Sequence, residues 1–97
     1  MKQIHISNNE APKCGGSGTL KYQLWVNDEG SLYAEITENS DGGTFSPLLF
    51  PVSKYAPARH KSINKPRGLD LTTGAERKSA NNDDGAFLKA VLHHLLD

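Results

Sequence analysis

The chain has 97 residues, of which 36% are hydrophobic, and its 11 basic residues balance its 11 acidic ones. This length allows one domain with one modest core, so residues 1–97 are expected to form a single domain. No stretch approaches the ~20 apolar residues of a membrane span, and the first ten residues lack the apolar run of a signal peptide. A single cysteine cannot form an internal disulfide. We therefore expect a complete small protein of the cytoplasm.

Residues 2–52 carry the alternation of apolar and polar side chains that is typical of β-strands. A first short strand is predicted over residues 2–7. The clearest prediction is a hairpin, in which residues 20–26 and 32–36 alternate on either side of the turn 27–30. Residues 44–52 are apolar on both faces but contain two prolines, which lack a backbone donor. This segment is expected at a sheet edge, or extended without regular pairing.

Periodicity disappears in residues 53–82, apart from a short strand pattern at Leu69 and Leu71, and this basic segment is expected to be a long irregular loop. Residues 83–97 then show helical spacing, with Asn82, Asp83 or Asp84 as the cap. The apolar stripe of this helix comprises Phe87, Leu88, Val91, Leu92 and Leu95. The sequence thus predicts an α+β fold, in which an antiparallel sheet of three to five strands is covered on one face by a C-terminal helix.

The glycine-rich stretch "KCGGSGTLKY" (residues 13–22) invites comparison with a phosphate-binding loop. Its lysine precedes the glycines, however, and the residues that follow have the pattern of a strand and not of a helix. We interpret the stretch as a flexible connection between the first two strands. Cys14 has no second cysteine as a partner and is interpreted as an ordinary loop residue.

Metal and catalytic sites are not expected. Helical metal ligands usually lie four residues apart, whereas His93 and His94 are adjacent and diverge by about 100° around the helix. The chain contains no G-x-S-x-G motif, and its carboxylates are not spaced as a catalytic pair. The sequence therefore predicts a protein that is not an enzyme and that has neither a metal nor a cofactor.

Charge is segregated along the chain. Residues 1–52 hold three basic and six acidic residues, whereas residues 53–80 hold seven basic and two acidic ones. The basic segment could bind nucleic acid, because mobile cations release counterions from phosphates and aromatic rings stack on bases. The candidate residues for this alternative are Lys54, Tyr55, Arg59, His60, Lys61, Lys65, Arg67, Arg77 and Lys78.

The favoured hypothesis is a protein-binding module. Trp25 and Tyr33 are predicted to be cross-strand neighbours on the outer face of the hairpin, where they could anchor an interface. The accompanying acidic candidates are Asp28, Glu29, Glu35, Glu38 and Asp41.

Such a surface could occlude a basic groove built for nucleic acid, through steric blocking or charge mimicry. Small inhibitors carried by phages and plasmids, anti-CRISPR proteins among them, act in this general way, and the analogy is one of size and style. The expected partner is a protein, such as a complex that handles nucleic acid. The chain itself is expected to be a monomer or a weak homodimer with no membrane association.

Overall fold

The structure is a computed structural model that describes residues 1–42, 45 and 47–97. Within these residues, seven antiparallel strands form one sheet of order β1-β3-β4-β5-β6-β7, with β2 also paired to β3. The strands are β1 (Lys2–Ile4), β2 (Glu10–Pro12), β3 (Thr19–Val26), β4 (Leu32–Asn39), β5 (Leu48–Pro51), β6 (Arg67–Asp70) and β7 (Glu76–Lys78). The same described residues contain two α-helices, α1 (Val52–Tyr55) and α2 (Asp84–Leu96), and a 3-10 turn at Ala56–Ala58.

The predicted α+β class, the antiparallel sheet and the C-terminal helix are confirmed, but the predicted strand number of three to five is too low. Strands β2, β6 and β7 have only three or four residues each, which is too short for an alternating pattern to be visible. The short strand pattern noted at Leu69 and Leu71 corresponds to β6, which includes Leu69 and ends before Leu71. The rest of residues 53–82 is more regular than predicted, because it also contains most of α1, the 3-10 turn and β7.

The β3–β4 hairpin forms as predicted. Its register pairs Trp25 with Tyr33 and Leu24 with Ala34, and it contains an irregularity between Lys21 and Tyr22. Side chains alternate between the two faces of a strand, so the buried Leu24 and Ala34 point to the core. Trp25 and Tyr33 therefore lie on the opposite face.

Strand β5 is not at an edge, because it pairs with both β4 and β6. The prediction failed because neither proline lies in the interior of the strand. Pro47 precedes it and offers its carbonyl oxygen to the backbone N–H of Leu71 at 2.8 Å, whereas Pro51 is its last residue. Thr44 and Ser46, which belonged to the predicted segment, lie outside the described residues.

Helix α2 covers one face of the sheet with the predicted stripe. Leu88, Val91 and Leu92 are buried in the core, and Phe87 and Leu95 pack against it. Strand residues and Val52 of α1 complete the same cluster: Ala11, Leu20, Tyr22, Leu24, Ala34, Ile36, Leu48 and Phe50. Among the described residues, neither helix has the combination of length and apolar character needed to cross a membrane.

The start of α2 differs from the expected capping pattern. Asp83 occupies the cap position without a side-chain capping bond. The carboxylate of the buried Asp84 instead accepts a hydrogen bond from the hydroxyl of Ser79. Burial raises the pKa of Asp84, and its hydrogen bond from Ser79 opposes that rise. The helix start is therefore held by a buried contact to the preceding loop.

The glycine-rich stretch is a hairpin turn between β2 and β3, and it is more constrained than the predicted flexible connection. The backbone N–H of Lys13 donates to the carbonyl of Gly18 at 3.1 Å, and the Lys13 ammonium group pairs with Asp41 at 2.7 Å. Gly18 has a φ of 101°, and a side chain there would meet the hydroxyl of Ser40. Cys14 is exposed within this turn.

Asp70 gives a first testable prediction. Its buried carboxylate accepts hydrogen bonds from the Thr72 hydroxyl at 2.6 Å, from Arg77 Nε at 2.7 Å and from the Thr72 backbone at 2.8 Å. These hydrogen bonds hold the pKa of Asp70 well below its ordinary 3.8, and the bond from the Thr72 hydroxyl has the largest effect. The stabilisation they provide is therefore complete above pH 3.8 and is lost as the pH falls below that value.

We expect Asp70→Asn to lower the melting temperature clearly at neutral pH and much less at about pH 2.5, because the wild type has by then lost part of this contribution. Thermal unfolding followed by circular dichroism at both pH values measures the difference. An equal decrease at the two pH values would contradict the assignment.

Candidate functional site

The face of the sheet opposite the core carries the aromatic pair. Trp25 and Tyr33 are directly paired across β3 and β4, and both are half-buried. The indole N–H of Trp25 donates to Glu35 at 3.0 Å, and the Tyr33 hydroxyl lies 3.5 Å from the Asn27 amide nitrogen. The predicted cross-strand pairing on the outer face is confirmed. The Glu35 contact, which the sequence pattern did not indicate, fixes the orientation of the indole ring.

The apolar character of this face continues across β5 and β6. Tyr33 pairs with Pro51, and Leu49 pairs with Leu69, which places all four on the face opposite to the core residue Phe50. Leu49 is 1% exposed, whereas Pro51 and Leu69 are half-buried. We call the face of the sheet that carries Trp25, Tyr33, Leu49, Pro51 and Leu69 the outer face; its accessible surface comes from the four residues other than the buried Leu49. Sequence reasoning missed its β5 and β6 members.

The predicted acidic residues do not form one continuous surface. Asp28 and Glu29 are exposed in the turn at one end of the β3–β4 hairpin, beside the aromatic pair. Glu38 and Asp41 lie at the other end, a full eight-residue strand away. The structure therefore leaves Glu35 in the middle of the outer face and separates the remaining acids into two groups.

Ion pairs also neutralise one of these two groups. The carboxylate of Glu38 lies 3.7 Å from the Lys21 ammonium, and that of Asp41 lies 2.7 Å from Lys13. Among the described residues, no salt bridge involves Asp28 or Glu29. Of the predicted acidic residues, Asp28, Glu29 and Glu35 therefore remain without a cationic partner among the described residues.

Tyr55 is not placed to stack on a base. It packs against the hydrophobic core, its hydroxyl accepts a hydrogen bond from the Arg67 backbone N–H at 2.8 Å, and the Lys54 ammonium lies 5.4 Å from its ring centroid. These contacts hold Tyr55 as a bridge between α1 and β6. Its role as a nucleic-acid ligand is therefore disfavoured.

Two of the predicted basic residues are occupied in ion pairs. Arg59 Nε contacts Asp97 at 3.1 Å, and Arg77 Nε contacts Asp70 at 2.7 Å. In the part of the chain that the structure describes, the other cationic candidates take part in no salt bridge: Lys54, His60, Lys61, Lys65, Arg67 and Lys78. Arg67 and Lys78 are directly paired across β6 and β7, and both are exposed.

A shallow cleft of about 420 Å³ lies beside the end of α2, and its lining includes His5, Tyr22 and His94. The Tyr22 oxygen is 2.7 Å from Nδ1 of His94. The two atoms share a hydrogen bond, and burial raises the pKa of Tyr22. This hydrogen bond ties α2 to β3, which is a structural role.

Comparison with models of protein families, with curated proteins and with solved structures finds no match to this chain. Function is therefore inferred from the surfaces of the molecule. The outer face is the surface on which aromatic and apolar side chains lie next to each other, with the unpaired Asp28 and Glu29 in the adjoining turn.

Proposed function

We propose that this chain is a non-enzymatic protein-binding module that docks the outer face of its sheet onto a basic partner surface containing an apolar pocket. The observation that carries the proposal is the half-exposed Trp25–Tyr33 pair, which lies on the face opposite to the core. Both helices contribute to that core, through Val52 of α1 and Leu92 of α2 among others. A further protein surface could cover the aromatic pair.

Aromatic pairs of this kind are suited to anchor an interface. Trp and Tyr dominate binding energy when they become fully desolvated in a partner's pocket. The 3.0 Å hydrogen bond to Glu35 holds the Trp25 ring in place, so less side-chain entropy is lost on binding. The nearby Asp28 and Glu29 would orient the encounter with a basic surface by charge complementarity.

An interface of ordinary size would cover a modest share of this small protein. A specific complex of standard size buries about 800 Å² on each partner. The accessible surface of this chain is 5578 Å², so about a seventh of it would be covered. Occlusion of a basic groove in a complex that handles nucleic acid is the mode of action that fits this chemistry. An inhibitor of the kind that mobile genetic elements carry would act in this way.

A second candidate, nucleic-acid binding, is supported by one specific observation. Arg67 and Lys78 face each other across β6 and β7 without an acidic partner among the described residues. Like charges directly opposite each other destabilise a sheet, and a phosphate group would relieve that repulsion. Since both side chains lie on the face that carries Leu69, a strand of nucleic acid could cross there.

Three variants separate the two candidates: Trp25→Ala, the double variant Arg67→Glu with Lys78→Glu, and Leu96→Ala as a control. Leu96 is 45% exposed on α2, on the other side of the sheet from Trp25. Immobilised wild type and variants are used to capture proteins from the cells that produce the chain, and the affinity of each specific partner is then measured with purified components. Nucleic-acid binding is measured in parallel, by NMR titration at two salt concentrations.

We expect Trp25→Ala to weaken the protein complex at least 30-fold, which corresponds to the roughly 2 kcal/mol or more of an interface hot spot. Leu96→Ala should keep the affinity within about threefold. The charge reversal should not weaken the complex, because it replaces two cations beside Leu69 with acids that suit a basic partner. Salt-sensitive shifts near Arg67 and Lys78 that the charge reversal abolishes would favour the second candidate. A complex that tolerates Trp25→Ala would contradict the proposal.

A further inference from the structure

Two histidines and an aspartate from distant parts of the chain meet beside the C-terminal end of α2. His60 follows the 3-10 turn, whereas His93 and Asp97 lie four residues apart at the end of the chain. One nitrogen or oxygen atom from each of the three side chains lies within 4.8 Å of the others. His94, the sequence neighbour of His93, is turned about 100° away from it around the helix. The partner of His93 at the i,i+4 spacing typical of helical ligands is Asp97.

Arg59 fixes the orientation of His93. The Nε2 atom of His93 lies 2.8 Å from the carbonyl oxygen of Arg59. A carbonyl oxygen can only accept, so Nε2 carries a hydrogen in this contact. Metal-bound histidines usually make this kind of bond from the ring nitrogen that does not bind the metal. The other nitrogen, Nδ1, points to Asp97 Oδ2 at 3.0 Å.

The carboxylate of Asp97 is oriented in a similar way. Arg59 Nε donates to its Oδ1 atom at 3.1 Å, which leaves Oδ2 facing the histidines. In the neutral imidazole with its hydrogen on Nε2, the Nδ1 lone pair and the Oδ2 atom face each other as two acceptors. A cation between them satisfies both.

We propose that His60, His93 and Asp97 form a binding site for a divalent transition metal of the zinc type. Two imidazoles and one carboxylate match the three-ligand sites of Zn²⁺, which leave a fourth position for water. Tetrahedral ligands about 2.0–2.1 Å from the metal lie roughly 3.3 Å apart. His93 and Asp97 are already close to this separation at 3.0 Å, so His60 is the ligand that must approach from within 4.8 Å. His60 can make this adjustment because it is exposed and its ring meets that of His93 edge-on, with centroids 4.9 Å apart.

The Arg59 guanidinium limits the affinity, because it places a positive charge next to the site. Imidazole ligands favour Cu²⁺ and Zn²⁺ over Mg²⁺, which requires oxygen ligands. The bound ion would connect the segment after the 3-10 turn to the end of α2. It would thereby stabilise the folded chain, since the unfolded chain does not hold these ligands together.

The test is isothermal titration of the chelator-treated full chain with Zn²⁺ and, separately, with Mg²⁺. The variant His60→Gln removes one ligand at an exposed position, and His5→Gln replaces an equally exposed histidine outside the cluster. We expect the wild type to bind one Zn²⁺ per chain and not to bind Mg²⁺. The affinity for Zn²⁺ should be at least tenfold lower in His60→Gln and unchanged in His5→Gln. Zn²⁺ should also raise the melting temperature of the wild type and of His5→Gln more than that of His60→Gln.

NMR spectra of the variants verify that each is folded and report whether Zn²⁺ perturbs the His93 ring. Absence of Zn²⁺ binding by the wild type would overturn the proposal. So would equal affinities of the wild type and His60→Gln, or a loss of binding in His5→Gln as large as in His60→Gln.

Discussion

Gly85→Ala is expected to lower the free energy of unfolding by about 3 kcal/mol or more. Gly85 is buried in the first turn of α2, where the helix touches the backbone of the loop between the 3-10 turn and β6. An added Cβ atom would overlap the carbonyl oxygen of Ile63 and lie 2.7 Å from its carbonyl carbon. Backbone atoms cannot turn away as a side chain does, so either the loop or the helix would have to move. Ile63 also packs against the core, which makes that movement costly.

Gly16→Ala is the matched control for this effect. A Cβ atom at Gly16 would meet no atom within 4 Å, and the residue is not among the glycines with a positive φ. Alanine there should leave the stability unchanged or raise it by up to about 1 kcal/mol. Urea denaturation of the two variants and the wild type measures both changes. Equal stability of Gly85→Ala and Gly16→Ala would show that the loop does not contact the helix as described.

The second large effect is expected at Leu92, which is completely buried between α2 and the sheet. Leu92→Ala should lower the free energy of unfolding by about 2–5 kcal/mol, because it removes buried methyl groups and leaves a cavity. The free energy of unfolding of a domain of this size is about 5–15 kcal/mol in total, so the variant should be measurably less stable at ambient temperature.

Leu96→Ala is the control for Leu92, since Leu96 lies on the same helix and is 45% exposed. Leu96→Ala should change the free energy of unfolding by no more than about 0.5 kcal/mol. Chemical denaturation measures both variants on the same scale. A change at Leu96 as large as that at Leu92 would contradict the placement of the helix on the sheet.

Long alternating or helical patterns made part of this fold predictable from sequence. The β3–β4 hairpin consists of two eight-residue strands, and α2 presents a complete apolar stripe, so both stood out. Strand β7 has the sequence ERK, with no apolar residue, and is held by its pairing with β6. Tertiary contacts, and not local preference, create such a strand.

Local sequence patterns likewise predict some of the surface features, whereas others depend on tertiary contacts. The register of one hairpin was enough to place Trp25 beside Tyr33. Leu49 has apolar neighbours on both sides in the chain, so its assignment to the outer face required the pairing of β5 with β4 and β6. The contact between the His60 and His93 rings joins residues that are far apart in the chain, which no local spacing reveals.

The most direct test of the proposed docking surface uses the fluorescence of Trp25, the only tryptophan in the chain. Quenching by acrylamide is measured for the free protein and for its complex with the captured partner, using a partner whose own tryptophans have been replaced. Binding through the outer face predicts that quenching of the half-exposed indole decreases strongly in the complex. Unchanged quenching in a fully formed complex would show that the partner binds elsewhere and would contradict the account.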